Sequence, residues 1–487
     1  MKLAFRSSLV LLLGTLVAHA QIPNFKHIIV IFQENRTPDN LFQGLCAPPF
    51  GSSGSCSTTP NANQYNIQTS NWRDKHSPTG VTQPLPVPLG NTYDLGHLHG
   101  AFNRQCDPDP SGACRMDGAG DVACGGTCLS QPQFRFVKNS RVGGHGILDP
   151  YLTLATQYGW ANYMFQTNQG ASFPAHQFIF GGTSAPNAGD DHAGIFASGN
   201  MEGGIHANGG AGCIADATTR VKLIHPNPNP PPPGIVNSEV YPCFDHQTIP
   251  DILPARFSWK YYTPSAGSIW TAPNAIFHIC QPTGPGGSCQ GQQWVQNVDL
   301  NPKDVLADIN SCNLRSMSWV IPGARNSDHA GSPDNTGGPA WVAAIVNAIG
   351  NHPTCPNGEV YWQNTAILIT WDDWGGWYDH EPPTILPLPQ GDYQYGFRVP
   401  LIVVSAYTPA GYINNFRHDF GSILRFIEHN FGIPEGQLTF ADQRATTDLA
   451  GFFHLNQAPR PFHRVSADKD ASYFLNDNTV PTDPDDD

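Results

Sequence analysis

The stretch Lys26-His-Ile-Ile-Val-Ile-Phe-Gln33, running straight into Glu34-Asn35-Arg36-Thr37, decides how the chain folds. Its apolar residues are consecutive and mostly β-branched. A strand with one wet face alternates apolar and polar residues, whereas a strand covered on both faces reads as an unbroken apolar run. Residues 26–33 are therefore expected to form a buried strand. Residues 364–371 (Asn-Thr-Ala-Ile-Leu-Ile-Thr-Trp) repeat the pattern. So do residues 398–405 (Arg-Val-Pro-Leu-Ile-Val-Val-Ser), although Pro400 cannot donate to a ladder in the first half. Helices are legible between these runs. Asp149-Pro150 opens one over 150–158, and Gly338-Pro339 leads into another over 340–349. A third, over 419–431, places Phe420, Ile423, Leu424, Ile427 and Phe431 on one face and stops at Gly432. Strands interleaved with helices predict an α/β fold, a mostly parallel central sheet flanked by helices.

Both long strands end in polar chemistry. The first runs into Glu34 and Asn35, the second into Asp372-Asp373-Trp374-Gly375-Gly376. In an open α/β sheet, ligands sit beyond the carboxyl ends of the strands. Four oxygen-bearing side chains delivered there can hold a hard cation. Each motif alone also reads as a cap or turn; the pair, with its two glycines, favours the metal. Asn35-Arg36-Thr37 also fits the glycosylation pattern, which a metal role for Asn35 would preclude. Arg36 can bind phosphate or pair with a strand-end carboxylate. Trp371, Trp374, Trp377 and Tyr378 can wall an apolar pocket or pack the core.

The composition bounds the setting. Of 487 residues, 39% are hydrophobic and only 13% charged, with 49 Gly and 45 Pro, which suits a large core carrying long ordered loops. Residues 1–20 have a basic start, a Leu9–Val17 apolar run and Ala18-His19-Ala20, the pattern of a secretory signal. The run falls short of the roughly 18 residues of a membrane span, and no later stretch reaches that length. The mature chain is expected near Gln21, secreted or periplasmic. Twelve cysteines then imply up to six bridges. Cys106, Cys114, Cys124 and Cys128 lie in one Gly- and Asp-rich loop, with a zinc site as the alternative. A net charge of −14 argues against nucleic acid and against polybasic binding to anionic lipid. Long irregular stretches lie at 43–95, 103–133 and 184–245. The last contains the proline run 227–234, a stiff surface loop or a partner-recruiting segment. The acidic tail, Asp483 to Asp487, reads as a solvated end.

Phe25 to Phe42 resembles the opening motif of the bacterial phosphoesterase family, which includes phospholipases C and acid phosphatases within the alkaline phosphatase-like superfamily. Further segments resemble it in order: Asp94-Leu-Gly-His97, Gly170-Ala-Ser-Phe-Pro174, Ser327-Asp-His329, Thr370 to Pro383, and His418 to Phe431. The resemblance implies an alkaline phosphatase-like fold and one divalent metal ion, Ca, Mg, Zn or Fe, held by Glu34, Asn35, Asp372, Asp373 and Ser172. It implies Ser172 as nucleophile and His97 and His329 on the phosphoryl oxygens or leaving group. His278 is the candidate for a third such histidine. His176, His380 and His418 adjoin matched motifs without a first-rank role.

The function expected is a secreted, metal-dependent phosphoesterase acting on a small phosphate ester or a phospholipid. The larger phospholipases C of the family carry extra C-terminal domains. This chain stops about fifty residues after its last matched motif, so a phosphomonoesterase of acid phosphatase type is the first expectation. Phospholipase C is the second, and an inactive secreted binding protein of the same fold is the alternative of another class. The organisation expected is a signal over 1–20, one catalytic domain over 21–460 and a C-terminal extension over 461–487.

Overall fold

The computed structural model describes residues 23–483 apart from 143, 200–209, 229–237, 332–336 and 390. The expected signal segment, most of the proline run and the last four residues of the acidic tail lie outside the described residues.

Eight strands form the central sheet: β1 (His27–Gln33), β2 (Gly159–Met164), β3 (Trp259–Tyr262), β4 (Val298–Asp299), β5 (Met317–Val320), β6 (Thr365–Trp371), β7 (Leu401–Val404) and β8 (Tyr412–His418). Their order is β4-β3-β5-β1-β6-β7-β2-β8. All neighbours are parallel except β7, which runs antiparallel to both β6 and β2. The mostly parallel sheet read from the apolar runs is thus present. Every residue of β1 and β6 is buried, as their unbroken apolar patterns require. Pro400 falls just outside β7, where its carbonyl accepts a hydrogen bond from Thr370 Oγ1 at 2.9 Å.

Four helices are α1 (Asp149–Gln157), α2 (Ser172–Gly181), which carries site residues, α3 (Gly338–Gly350) and α4 (Phe420–Phe431). Helix α1 starts one residue earlier than expected. Asp149 is inside it, and its carboxylate closes the preceding loop on Gly146 N–H (2.7 Å) and Asn139 Nδ2 (2.8 Å). Asp419 caps α4 by accepting from Ser422 N–H at 3.0 Å, and Gly432 ends it at a φ of 70°. Beyond residue 460 the chain still packs on the body. Phe474 meets Trp341 of α3 with ring centroids 5.2 Å apart.

The long loops are stapled. Six disulfides join Cys46–Cys56, Cys106–Cys114, Cys124–Cys128, Cys213–Cys243, Cys280–Cys289 and Cys312–Cys355. This removes the zinc alternative for the loop around 106–128, since all four sulfurs are paired. Among the described residues no helix is long and apolar enough to cross a membrane.

Candidate active site

Strand register brings the expected residues together. Gln33 of β1 pairs with Trp371 of β6, so Glu34-Asn35 and Asp372-Asp373 leave the sheet side by side. Strand β5, on the other flank of β1, leads to Ser327-Asp328-His329. Strand β2 leads to the turn before Ser172. All four strands point the same way, so their carboxyl ends meet at one edge.

The turns there are set by backbone conformation. Glu34 N–H donates to the Ser327 carbonyl at 2.7 Å. Asn35 is left-handed, with φ at 61°, a conformation asparagine adopts more readily than most residues. Its N–H donates to Asp372 Oδ1 at 3.1 Å. Across from it, Gly375 also has a positive φ of 62°, and a Cβ there would stand 2.5 Å from the Asn35 carbonyl oxygen. The glycine after the paired aspartates is therefore a steric requirement of the two loops' approach. Gly170 serves the same end, since a Cβ there would lie 1.6 Å from the Ser198 carbonyl oxygen.

Ser172 opens α2 and is fully buried. Its Oγ stands 3.3 Å from Glu34 Oε2 and 3.4 Å from Asp373 Oδ2. One hydroxyl proton cannot serve both carboxylates. Asn35 Oδ1 and Asp372 Oδ2 are buried without a hydrogen-bond partner among the described residues. Buried oxygens are ordinarily satisfied. The carboxylate oxygens of Glu34, Asp372 and Asp373 gathered about the Ser172 hydroxyl, with two unpartnered oxygens on adjoining residues, suit a bound cation.

His97 and His329 join this cluster. The first donates Nδ1–H to the Leu95 carbonyl at 2.7 Å, the second to the Ala330 carbonyl at 2.6 Å. These bonds fix the tautomers and leave each Nε2 as the ring's second functional atom. The His97 Nε2 stands 3.4 Å from Asn35 Nδ2. The two rings are 6.1 Å apart, and a nitrogen of each lies within 4.8 Å of an Asp94 carboxylate oxygen.

His278 is not brought to the site. Its Nδ1 sits 2.6 Å from Asp245 Oδ1 and its Nε2 3.1 Å from Asp251 Oδ1. The hydrogen bond to Asp251 leads in raising its pKa to about 9. No described contact of His278 reaches Ser172 or the strand-end residues, because two surface carboxylates already hold both ring nitrogens. Conversely, the sequence reading left His176 aside. It is fully buried, and its Nε2 lies 3.2 Å from Glu34 Oε1. Its place four residues after Ser172 on α2 is the signal that could have found it, since such residues share a helix face.

Other expectations resolve simply. Asn35 is fully buried, which precludes a glycan. Arg36 is buried and donates to the Asp328 carbonyl at 2.8 and 3.0 Å and the Leu89 carbonyl at 3.1 Å, with its guanidinium 5.0 Å from the Trp377 ring centre. It braces the site's backbone. Trp371, Trp374, Trp377 and Tyr378 are fully buried core.

A sequence model of the phosphoesterase family matches residues 144–434. Phospholipase C B of Mycobacterium tuberculosis is 29% identical over 180 residues, 33% of either chain. A non-hemolytic phospholipase C of Pseudomonas aeruginosa is 26% identical over 258 residues, 46% of this chain and 36% of its own. The non-specific phospholipase C1 of Arabidopsis thaliana is 26% identical over 155 residues, 28% of this chain and 27% of its own. The matched stretches thus span about a third of these relatives' lengths. A solved alkaline phosphatase superfamily protein from Vibrio parahaemolyticus overlaps 61% of this chain and 66% of its own at 9% identity, with a TM-score of 0.33.

Proposed function

This chain belongs to the phosphoesterase family, and from that premise we propose that it hydrolyses phosphate esters with Ser172 as nucleophile and a divalent cation held by Glu34, Asn35, Asp372, Asp373 and Ser172. The observation that carries the reading is the Ser172 hydroxyl, buried between the Glu34 and Asp373 carboxylates beside the orphaned oxygens of Asn35 and Asp372. A serine hydroxyl is a poor nucleophile at neutral pH. A bound cation would lower its pKa and offset charge on a phosphoryl oxygen.

The chain's own residues supply the rest. Ser172 lies at the amino end of a ten-residue helix, whose dipole favours negative charge there. Its hydroxyl passes its proton to a facing carboxylate as Oγ attacks phosphorus; the bond to the ester oxygen breaks, and water then cleaves the phosphoseryl group. His97 and His329, held through Nδ1, would in their protonated form present Nε2–H to the phosphoryl oxygens and give a proton to the leaving oxygen. The enclosing aromatic core excludes bulk water, which strengthens each of these interactions.

Two substrate versions remain in play. The phosphomonoesterase version draws no support from the relatives found. The phospholipase C version draws support from the names of the relatives, so a phosphatidylcholine-like diester is the better-supported substrate. Secretion is part of the same reading, supported by the amino-terminal pattern and by six disulfides, which persist outside reducing compartments. The test runs nitrophenyl phosphate and phosphatidylcholine side by side, with and without chelator, in wild type and Ser172→Ala. We expect chelator-sensitive turnover that Ser172→Ala abolishes. Wild-type turnover in Ser172→Ala would remove the nucleophile assignment. No chelator-sensitive turnover on either substrate would favour the inactive binding protein.

A further inference from the structure

We infer that His176 is itself a ligand of the cation, which makes the cage a mixed nitrogen and oxygen site and selects a first-row transition metal over Ca²⁺ or Mg²⁺. The inference rests on the metal-site reading above and deepens it. Its first support is placement. His176 Nε2, a Glu34 carboxylate oxygen and an Asp372 carboxylate oxygen are mutually within 4.8 Å, and all three residues are fully buried. His176 projects from the same face of α2 as Ser172, one turn along, so one rigid helix would deliver both nucleophile and nitrogen.

The second support is proton accounting around the ring. Tyr261 has one hydroxyl proton and gives it to the Trp270 carbonyl at 2.7 Å. Its oxygen is then an acceptor, and it stands 3.4 Å from His176 Nδ1. A neutral His176 that donates Nδ1–H to Tyr261 presents a bare lone pair at Nε2. That lone pair faces Glu34 Oε1 at 3.2 Å. In that tautomer a shared cation would join the two atoms, and in the other the Nε2–H would. Metal-bound histidines characteristically donate their other ring N–H to an oxygen, and the Tyr261 hydroxyl oxygen is placed to accept from Nδ1.

The spacing agrees. Donors sharing an ion at about 2.1 Å stand about 3.0–3.4 Å apart along the edges of an octahedron or tetrahedron. The contacts from Glu34 to His176, Glu34 to Ser172 and Ser172 to Asp373 are 3.2, 3.3 and 3.4 Å. The ring is also held in place, 5.2 Å from Phe32 and 6.3 Å from Trp270 between centroids. Imidazole suits Zn²⁺ or Fe²⁺, whereas Ca²⁺ and Mg²⁺ take oxygen.

The competing arrangement has His176 in the opposite tautomer, donating Nε2–H to Glu34 and steering it without touching the ion. Electron spin-echo spectroscopy of the purified chain loaded with Mn²⁺ separates the two. A directly bound imidazole gives a strong nitrogen modulation, which changes on ¹⁵N-histidine labelling. We expect that signal in wild type and its loss in H176Q. No directly bound nitrogen in wild type overturns the inference, and this holds even if H176Q does not fold. A signal that persists in folded H176Q also overturns it. Calorimetric titration gives an independent reading: wild type should prefer Zn²⁺ to Mg²⁺, and H176Q should narrow that preference about 100-fold. An unchanged preference counts against the inference. Bound nitrogen without ester hydrolysis would sink the proposed activity alone, and hydrolysis without bound nitrogen would sink this inference alone.

Discussion

Two acid clusters stand a few residues apart on the same two segments, and they are solved in opposite ways. Glu34, Asp372 and Asp373 form one, with Ser172 and His176. Asp39, Asp379 and His380 form the other. In the second cluster the protein supplies the positive charge. Arg398 grips Asp379 with two bonds of 2.9 and 3.0 Å and approaches Asp39 at 3.6 Å. His380 Nδ1 sits 2.7 Å from Asp39 Oδ2 and its Nε2 3.0 Å from Asn66 Oδ1. Arg398 also donates to the Asn66 and Asn162 carbonyls. In the first cluster Asp372 has no Lys or Arg partner among the described contacts, and its Oδ2 is orphaned. Buried carboxylates need compensation from somewhere. The second cluster is balanced by its own guanidinium, and the first is the one the proposed function assigns to a cation.

The largest break in this comparison should come from Asp372→Asn. It removes a buried charge that no Lys or Arg meets among the described contacts, and we expect kcat/KM to fall at least about 10³-fold, some 4 kcal/mol. Steady-state kinetics with metal added would check it. The mirror change, Arg398→Met, should leave two buried carboxylates without their guanidinium and cost about 3–5 kcal/mol of stability. Urea unfolding measures that loss. If Arg398→Met were as stable as wild type, the second cluster would not be the internally balanced one.

A buried histidine with no acid among its described hydrogen bonds sharpens the contrast with His380. His418 meets Thr447 Oγ1 at 2.8 Å and Asn414 Oδ1 at 3.2 Å. Burial lowers its pKa to about 4. The folded chain therefore refuses a proton that the unfolded chain accepts below its ordinary value of about 6.5. This contribution to stability is fully present above pH 6.5 and declines as pH falls towards 4, by about 3 kcal/mol at the limit. His418→Asn should flatten that part of the stability profile, read from urea midpoints at pH 7 and pH 4.5. The smallest effect expected is on metal removal. Chelator should destabilise wild type by about 2.7 kcal/mol where metal had been present at a hundredfold above its dissociation constant, and should leave Asp372→Asn unmoved. Thermal melts with and without chelator would show it.

The sheet was legible because β1 and β6 are covered on both faces, which leaves a continuous apolar signature. The meeting of the strand-end polar pairs was legible for a related reason, since polar residues following such strands have few places to go. Ser172 was legible only through family likeness. Nothing local in Gly170-Ala-Ser says that α2 would aim it between two carboxylates from strands far away in sequence. His176 was missed and His278 over-valued because a histidine's role depends on partners that sequence spacing does not bring near. Asp245 and Asp251 capture one, and Glu34 faces the other. The second cluster was not legible: nothing beside Asp379 in the sequence says that His380 meets Asp39. That contact needs both loops in place before it exists.

The twelve cysteines pair strictly in the order in which they occur, first with second, third with fourth, through to the last two. No bridge encloses or crosses another. A chain emerging amino-terminus first completes each pair before the first cysteine of the next appears. Oxidation in order of synthesis therefore yields the native set without reshuffling, and a simple thiol oxidase should serve where a tangled pattern would need an isomerase.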